Sequence, residues 1–194
     1  MHFKKFNTDY ETQFFNIEKA ESHYENDKPY YRLTGPNSVI CCILDRKGCF
    51  VLIEQYRPNL ECHTLEMPAG GLEANEKPIY GAHREIMEEV GMSCSLLKLG
   101  YNYSLMMNRT NIRDNLFLGM FPEVSMDFEA ETNTKVIRMP REELLEAALD
   151  GRYLQLAGLG IINLAGAILN LDFWKSSIDQ IESSFLSNKD ITRF

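Results

Sequence analysis

Residues Gly70–Met92, GGLEANEKPIYGAHREIMEEVGM, constrain the chain more than any other stretch. Pro78 suits the first turn of a helix, where its missing N–H costs nothing, and Gly91 suits the left-handed position that ends one. The spacing predicts a helix between them. At about 100° per residue, Glu85, Glu88 and Glu89 fall within a narrow arc of its surface. Like charges at i, i+3 and i+4 repel, so this face weakens an isolated helix. A divalent cation reverses the sign, because hard Mg²⁺ takes oxygen ligands and keeps substrate phosphates in its shell. Several such ions can clamp an in-line phosphoryl displacement. Gly70 and Gly71 let the preceding loop approach a ligand closely. The competing reading is a solvated acidic face, which is what most charge runs are.

Seven positions decide between the two: Gly70, Glu76, Arg84, Glu85, Glu88, Glu89 and Gly91, with apolar Ile86 and Met92 in the remaining slots. At a background frequency of about 7% per residue type, they coincide by chance with a probability on the order of 10⁻⁸ per starting position. The stretch resembles the Nudix box, G-x5-E-x7-R-E-U-x-E-E-x-G-U with U bulky and apolar, and no position departs from it. Gln55-Tyr56-Arg57 followed by Glu66-Met67-Pro68-Ala69-Gly70-Gly71 is similar to the ADP-ribose pyrophosphatase and nucleotide-sugar hydrolase branch of that superfamily.

The resemblance covers roughly residues 37–172 and implies an α/β fold: a Nudix α/β/α sandwich with a mixed β-sheet, plus a short N-terminal β element. It implies a lead-in at 1–36, carrying a strand exchanged within a homodimer, and a hydrolase domain at 37–194. The implied reaction cleaves the diphosphate of a small-molecule nucleoside diphosphate derivative, giving a nucleoside monophosphate and a sugar phosphate. The implied metal ligands are the Ala69 carbonyl oxygen and the carboxylates of Glu85, Glu88 and Glu89. They would hold Mg²⁺, with Mn²⁺ able to substitute, and Arg84 would orient them. A loop glutamate is implied as general base, with Glu131 the first choice, Glu129 the second, and Glu88 the fallback inside the box. Tyr31, in the aromatic Tyr30-Tyr31 strand, is implied to help form the nucleotide pocket.

Several readings stay open. Arg57 matches phosphate oxygens bidentately, yet it is equally a structural partner for Glu54 or Glu66. Arg109 and Arg113 are phosphate contacts or ordinary loop charges, and the Glu129–Glu131 loop is catalytic or simply solvated. His63 and His83 have no second His or Cys at metal-ligand spacing and read as surface or supporting residues. Met106-Met107-Asn108 stands where ADP-ribose pyrophosphatases carry a proline in an S-P-G-like turn, which leaves the sugar undecided. GDP-mannose, dinucleoside polyphosphates and damaged nucleotides are the alternative substrates. A non-catalytic nucleotide-sugar sensor is the alternative of another class, and the complete carboxylate set counts against it.

Elsewhere the patterns are ordinary. Residues 1–29 show only weak periodicity. Tyr30–Leu33 reads as a strand, and Ser38–Leu44 and Cys49–Glu54 as a hairpin about Asp45-Arg46-Lys47-Gly48. Further strands are expected at 95–105, 115–121 and 135–139. One helix follows Pro140, with Leu144, Leu145 and Ala148 on one face and Gly151 as its stop. A second is expected over about 156–174, buried and too short to span a bilayer, and the polar tail from Ser176 adds a further helix or frays. A net charge of −8 argues against nucleic-acid or anionic-membrane partners. The odd number of cysteines, five, without a C-x-x-C pair, and a start lacking an apolar core both point to a reducing cytoplasm.

Overall fold

Val39-Ile40-Cys41-Cys42-Ile43-Leu44 is apolar at both parities, the mark of a strand covered on both faces. The computed structural model, which describes residues 3–24, 28–125 and 134–194, buries all six. In chain order its elements are β1 (Asn7–Glu11), β2 (Asn16–Ala20), β3 (Tyr30–Thr34), β4 (Ser38–Leu44), β5 (Cys49–Arg57), β6 (Cys62–Glu66) and β7 (Ala69–Gly71). Then come α1 (Pro78–Val90), β8 (Met92–Tyr103), β9 (Asp114–Val124), β10 (Thr134–Pro140), α2 (Arg141–Leu149), α3 (Leu156–Leu169), α4 (Ile178–Ser187) and β11 (Ile191–Thr192).

The main sheet runs β10-β5-β4-β9-β8-β11, with β4 and β9 parallel and the other neighbours antiparallel. Alternation along β4 separates two cores. Val39, Cys41 and Ile43 join Ala82, Ile86 and Val90 of α1 on one face. Ile40, Cys42 and Leu44 join residues of α2, α3 and α4 on the other, completing an α/β/α sandwich. Each fully buried aliphatic side chain contributes about 1.5–3 kcal/mol, so Ile86 alone goes far to fix the roll of α1 about its axis.

One irregularity makes room for the site. β4 and β5 pair only at Ile43–Val51 and Leu44–Phe50. Beyond that point β5 continues with β6, from Ile53–Glu66 to Arg57–Cys62, while β4 takes β7 at Ile40–Ala69, Val39–Gly70 and Ser38–Gly71. The two strands diverge, and Met67-Pro68 crosses the gap between them. Cys41 donates its N–H to the Pro68 carbonyl at 2.8 Å.

Two expectations need correction. The helix expected over 156–174 ends at Leu169, because Asn170 adopts the left-handed conformation (φ 54°) and Leu171 N–H returns to the Gly166 carbonyl at 2.9 Å. That is a Schellman-type stop, and the intervening residues before Trp174 form a turn. In α2 the buried residues are Leu144 and Ala147, with Ala148 packed beside them, whereas Leu145 is exposed. The i, i+3, i+4 set therefore has Ala147 where Leu145 was expected. Residues 7–20, which carried no clear pattern, form two strands, and β1 is exposed along its whole length. Among the described residues no helix is long and apolar enough to cross a membrane.

Candidate active site

α1 begins with Pro78 in its first turn and stops at Gly91 (φ 63°). Ala82, Ile86 and Val90 face the sheet, which turns Arg84, Glu85, Glu88 and Glu89 toward the Gly70-Gly71 segment. Arg84 is the hub. Its Nε donates to Glu76 Oε1 at 3.0 Å, and Nη2 donates to Glu76 Oε2 at 3.0 Å and to the Gly71 carbonyl at 2.9 Å. Nη1 donates to Glu85 Oε1 at 2.8 Å and to Glu88 Oε2 at 2.9 Å. Glu76 Oε2 also accepts the Glu73 N–H at 2.9 Å, and Glu89 Oε2 accepts the Ala69 N–H at 2.8 Å. One guanidinium thus ties the glycine segment, the loop before α1 and two carboxylates of α1 into a single network.

The electrostatics follow. The Arg84 hydrogen bond holds the Glu76 carboxyl below its ordinary range, while bonds to Glu76, Glu85 and Glu88 hold the guanidinium above its own. Against that single positive charge stand Glu76, Glu85, Glu88 and Glu89, so the cluster keeps a strong negative excess. Such an excess favours a cation and disfavours a bare diphosphate. The glycine at 70 fits that use. A Cβ there would lie 2.1 Å from Glu85 Cδ and 2.2 Å from both its oxygens, so the backbone and this 11%-exposed carboxylate are in direct contact. Gly70 therefore makes room first for the protein's own ligand-type oxygen. Among the described residues no three His, Cys, Asp or Glu side chains are gathered so that they could hold a metal ion by themselves. The oxygen donors on offer are carboxylates plus backbone carbonyls, the set that suits Mg²⁺ or Mn²⁺ with water and phosphate completing the shell.

Arg57 lies across the gap on β5 and pairs in fork fashion with Glu66 of β6, Nε to Oε1 at 2.7 Å and Nη2 to Oε2. Thr64 Oγ1 also donates to Glu66. Burial pushes the Glu66 carboxyl up, but these hydrogen bonds outweigh it and hold it below its ordinary value. The partner is Glu66, not Glu54, and the Arg57 charge also feels Glu89, which puts the pair beside the network. Arg109 and Tyr31 belong to other elements. Arg109 lies over the Tyr30 ring, 5.5 Å from its centroid, in the turn joining β8 and β9, and Tyr31 is half-exposed on β3. That turn forms without the proline of the resembled branch, because the Met106 carbonyl accepts from Arg109 N–H and Thr110 N–H at 3.0 and 3.1 Å. Tyr30 Oη donates to the Asn108 carbonyl, docking β3 on the same turn. Glu129 and Glu131 lie outside the described residues.

His83 stacks on Phe194, centroids 4.2 Å apart, and His63 packs edge-on against Tyr56, so neither joins the carboxylates. Two supporting residues were not anticipated. Gln155 Oε1 accepts the Met67 N–H at 2.9 Å, and this long-range contact leaves no local sequence signal. Gly81 admits Leu72, since a Cβ there would lie 2.4 Å from Leu72 Cδ2. The pair of small residues at 81 and 82 on the helix's inner side was the available hint.

Comparison with known proteins agrees with this geometry. The chain is 38% identical over 63 residues to the methanol dehydrogenase activator of Bacillus methanolicus, covering 32% of this chain and 34% of that protein. It is 37% identical over 62 residues to the ADP-ribose pyrophosphatase of Bacillus subtilis (strain 168), with the same coverage, 32% and 34%. It is 44% identical over 43 residues to the ADP-sugar pyrophosphatase of Mus musculus, 22% of this chain and 20% of that one. The chain thus spans about a third or less of the length of the curated relatives it matches. A crystal structure of an ADP compounds hydrolase shares the fold, with a TM-score of 0.69 at 18% identity over 87% of this chain and 93% of that one. The NUDIX domain family model matches residues 35–156, from the turn before β4 to the first residue of α3, and the chain belongs to that family.

Proposed function

We propose that the protein is a Mg²⁺-dependent pyrophosphohydrolase of nucleoside diphosphate derivatives, ADP-ribose or another nucleotide sugar, with Mn²⁺ able to replace Mg²⁺. The observation that carries this reading is the Arg84 network, which gathers Glu85 and Glu88 onto one nitrogen beside Gly70-Gly71. The ADP-ribose and ADP-sugar pyrophosphatases among its relatives point the same way. A bound divalent ion supplies neutralisation of the diphosphate charge and activation of the attacking water. Glu85, Glu88, Glu89 and the Ala69 carbonyl oxygen hold that ion. Arg84 fixes the rotamers of two of these carboxylates through charge-assisted hydrogen bonds and so stores the geometry before substrate arrives. Arg57, anchored by Glu66, presents the rest of its guanidinium to a phosphate oxygen, and Arg109 and Tyr31 contact the nucleotide. The water's proton passes to Glu131, with Glu129 as the second choice.

Residues 37–194 form the catalytic unit in this reading, and residues 1–36 build a homodimer. Its support is the sheet β1-β2-β3, whose surroundings expose Tyr10, Phe14, Tyr24 and Tyr31. Free Cys41, Cys42 and Cys94 are buried, which suits a reducing cytoplasm. The deciding experiment is a hydrolysis screen over ADP-ribose, other nucleotide sugars, NADH and dinucleoside polyphosphates. Product should appear with Mg²⁺ or Mn²⁺ and vanish in excess EDTA. Turnover that persists in chelator refutes the mechanism, and tight nucleotide binding without turnover under any metal identifies a sensor instead.

A further inference from the structure

Ala82, Ile86 and Val90 hold α1 down on the sheet, but its sideways position depends on what stands against its two flanks. One flank is the acidic one. There Glu89 accepts the Ala69 N–H at 2.8 Å, and Arg84 donates to the Gly71 carbonyl at 2.9 Å. The other flank carries Tyr80 and His83. At about 100° per residue these two lie about 120–180° around the axis from Glu85 and Glu89.

What meets that second flank comes from the segment after α4. Ile191 and Thr192 of β11 pair antiparallel with Leu97 and Leu96 of β8, which ties the segment to the edge of the sheet. Two residues further on, Phe194 lays its ring flat on His83, with centroids 4.2 Å apart and planes 7° from parallel. The same ring meets Tyr80 edge-on at 6.2 Å. Both are favourable aromatic geometries.

Two observations single out the ring. Between the first turn of α1 and β11 lies a cavity of about 330 Å³, with Ile79, Lys98, Tyr101 and Ile191 in its lining. The strand therefore stands off the start of the helix, and Phe194 closes the distance. Phe194 is also 41% exposed, whereas Phe50, Phe117, Phe173 and Phe185 are buried in the cores. Its contact with α1 adds little to the core and much to where the helix sits. His83 Nδ1 is buried and has no hydrogen-bond partner among the described residues, so stacking is what steadies that imidazole.

We propose that Phe194 is a positioning residue of the active site. Anchored to the sheet edge through β11, its ring backs α1 at His83 and Tyr80. It thereby keeps Glu85, Glu88 and Glu89, on the far side of the helix, close to the glycine segment. An error of about 1 Å in such a position costs about 10²-fold in rate, so a contact on the opposite flank reaches the chemistry through the helix. The proposal rests on the metal-dependent reading of the carboxylate cluster.

The test is calorimetric titration of the full chain with Mn²⁺, for wild type, Phe194→Ala and Phe194→Tyr, beside thermal melts. Phe194→Ala should bind Mn²⁺ about fivefold or more weaker, with a melting temperature only a few degrees lower. Phe194→Tyr keeps a flat ring and should bind as wild type does. In hydrolysis of ADP-ribose, the Mg²⁺ concentration for half-maximal rate should rise in Phe194→Ala while the KM for ADP-ribose holds, a split that loss of stability alone does not produce. Should Phe194→Ala melt more than about 10° lower, Phe194→Leu replaces it under the same criteria. Mn²⁺ affinity within twofold of wild type in the folded variant, or equal loss in Phe194→Tyr, overturns the proposal. If that happens while wild type still shows metal-dependent turnover, only the role of Phe194 falls. A wild-type protein that binds no Mn²⁺ removes the metal reading and the proposal together.

Discussion

Gly70→Ala tests the site with a single methyl group. The backbone at 70 does not lie at positive φ, so Ala is acceptable there in conformational terms and the only penalty is contact. The new Cβ would stand 2.2 Å from both Glu85 oxygens, and ordinary contact begins at 3.4 Å, so the carboxylate must retreat by about 1.2 Å. That stretches the 2.8 Å bond from Arg84 Nη1 toward about 4 Å, beyond hydrogen-bonding range. Losing a partly exposed charge-assisted bond costs about 1–2 kcal/mol, and the stiffer unfolded chain of the Ala protein returns about 0.4–1 kcal/mol. Net stability should therefore fall by only about 1 kcal/mol, a few degrees of melting temperature. Catalysis should suffer more, because a ~1 Å misplacement of a positioning group costs about 10²-fold, or about 2.7 kcal/mol of barrier. The assay is steady-state hydrolysis of ADP-ribose across a Mg²⁺ titration, with thermal melts of both proteins. A folded Gly70→Ala enzyme within about threefold of wild-type kcat/KM, at unchanged metal requirement, refutes the placement of Glu85 in the metal site.

Arg84→Lys keeps the charge but cannot reach Glu76, Glu85, Glu88 and the Gly71 carbonyl together, and it should lower kcat by about 10²-fold while ADP-ribose KM changes little. Glu131→Gln should reduce kcat by about 10²–10⁴-fold at nearly constant KM, with Glu129→Gln mild, as pH–rate profiles of the two will show. The reverse pattern moves the base by two residues. Glu76 and Glu66 are held below their ordinary pKa by arginine, so their stabilising contribution is complete above about pH 4.5 and disappears as pH falls through the lower folded values. Melting temperatures followed from pH 6 to pH 3 should drop over that interval, and Glu66→Gln should flatten part of the fall.

The helix α1 and its acidic face were legible because their constraints are local. Pro78, Gly91 and the three glutamates show their arrangement in spacing alone, and Arg84 sits one turn from Glu88. The apolar run of β4 likewise announced a strand. What escaped depends on distant partners. Nothing near Ile53 or Val39 shows that β4 and β5 separate to admit β6 and β7. β1 is exposed at every position and so lacks the alternation that burial imposes. The end of α3 turned on Asn170 entering the left-handed region, which Asn tolerates but does not announce. Arg57 was open between two carboxylates until the β5–β6 register placed Glu66 against it.

The bond from Met67 N–H to Gln155 has a bearing on biosynthesis. The two residues are 88 positions apart, and the acceptor lies just before α3. Domains are made N-terminus first, and long-range contacts close late. A nascent chain that has emerged as far as α2 already carries every residue of the Arg84 network and both arms of the β5–β6 hairpin, yet the peptide crossing between β6 and β7 still lacks its anchor. The segment bordering the Arg84 network therefore gains this anchor after its own sequence is complete, when the helix behind it arrives.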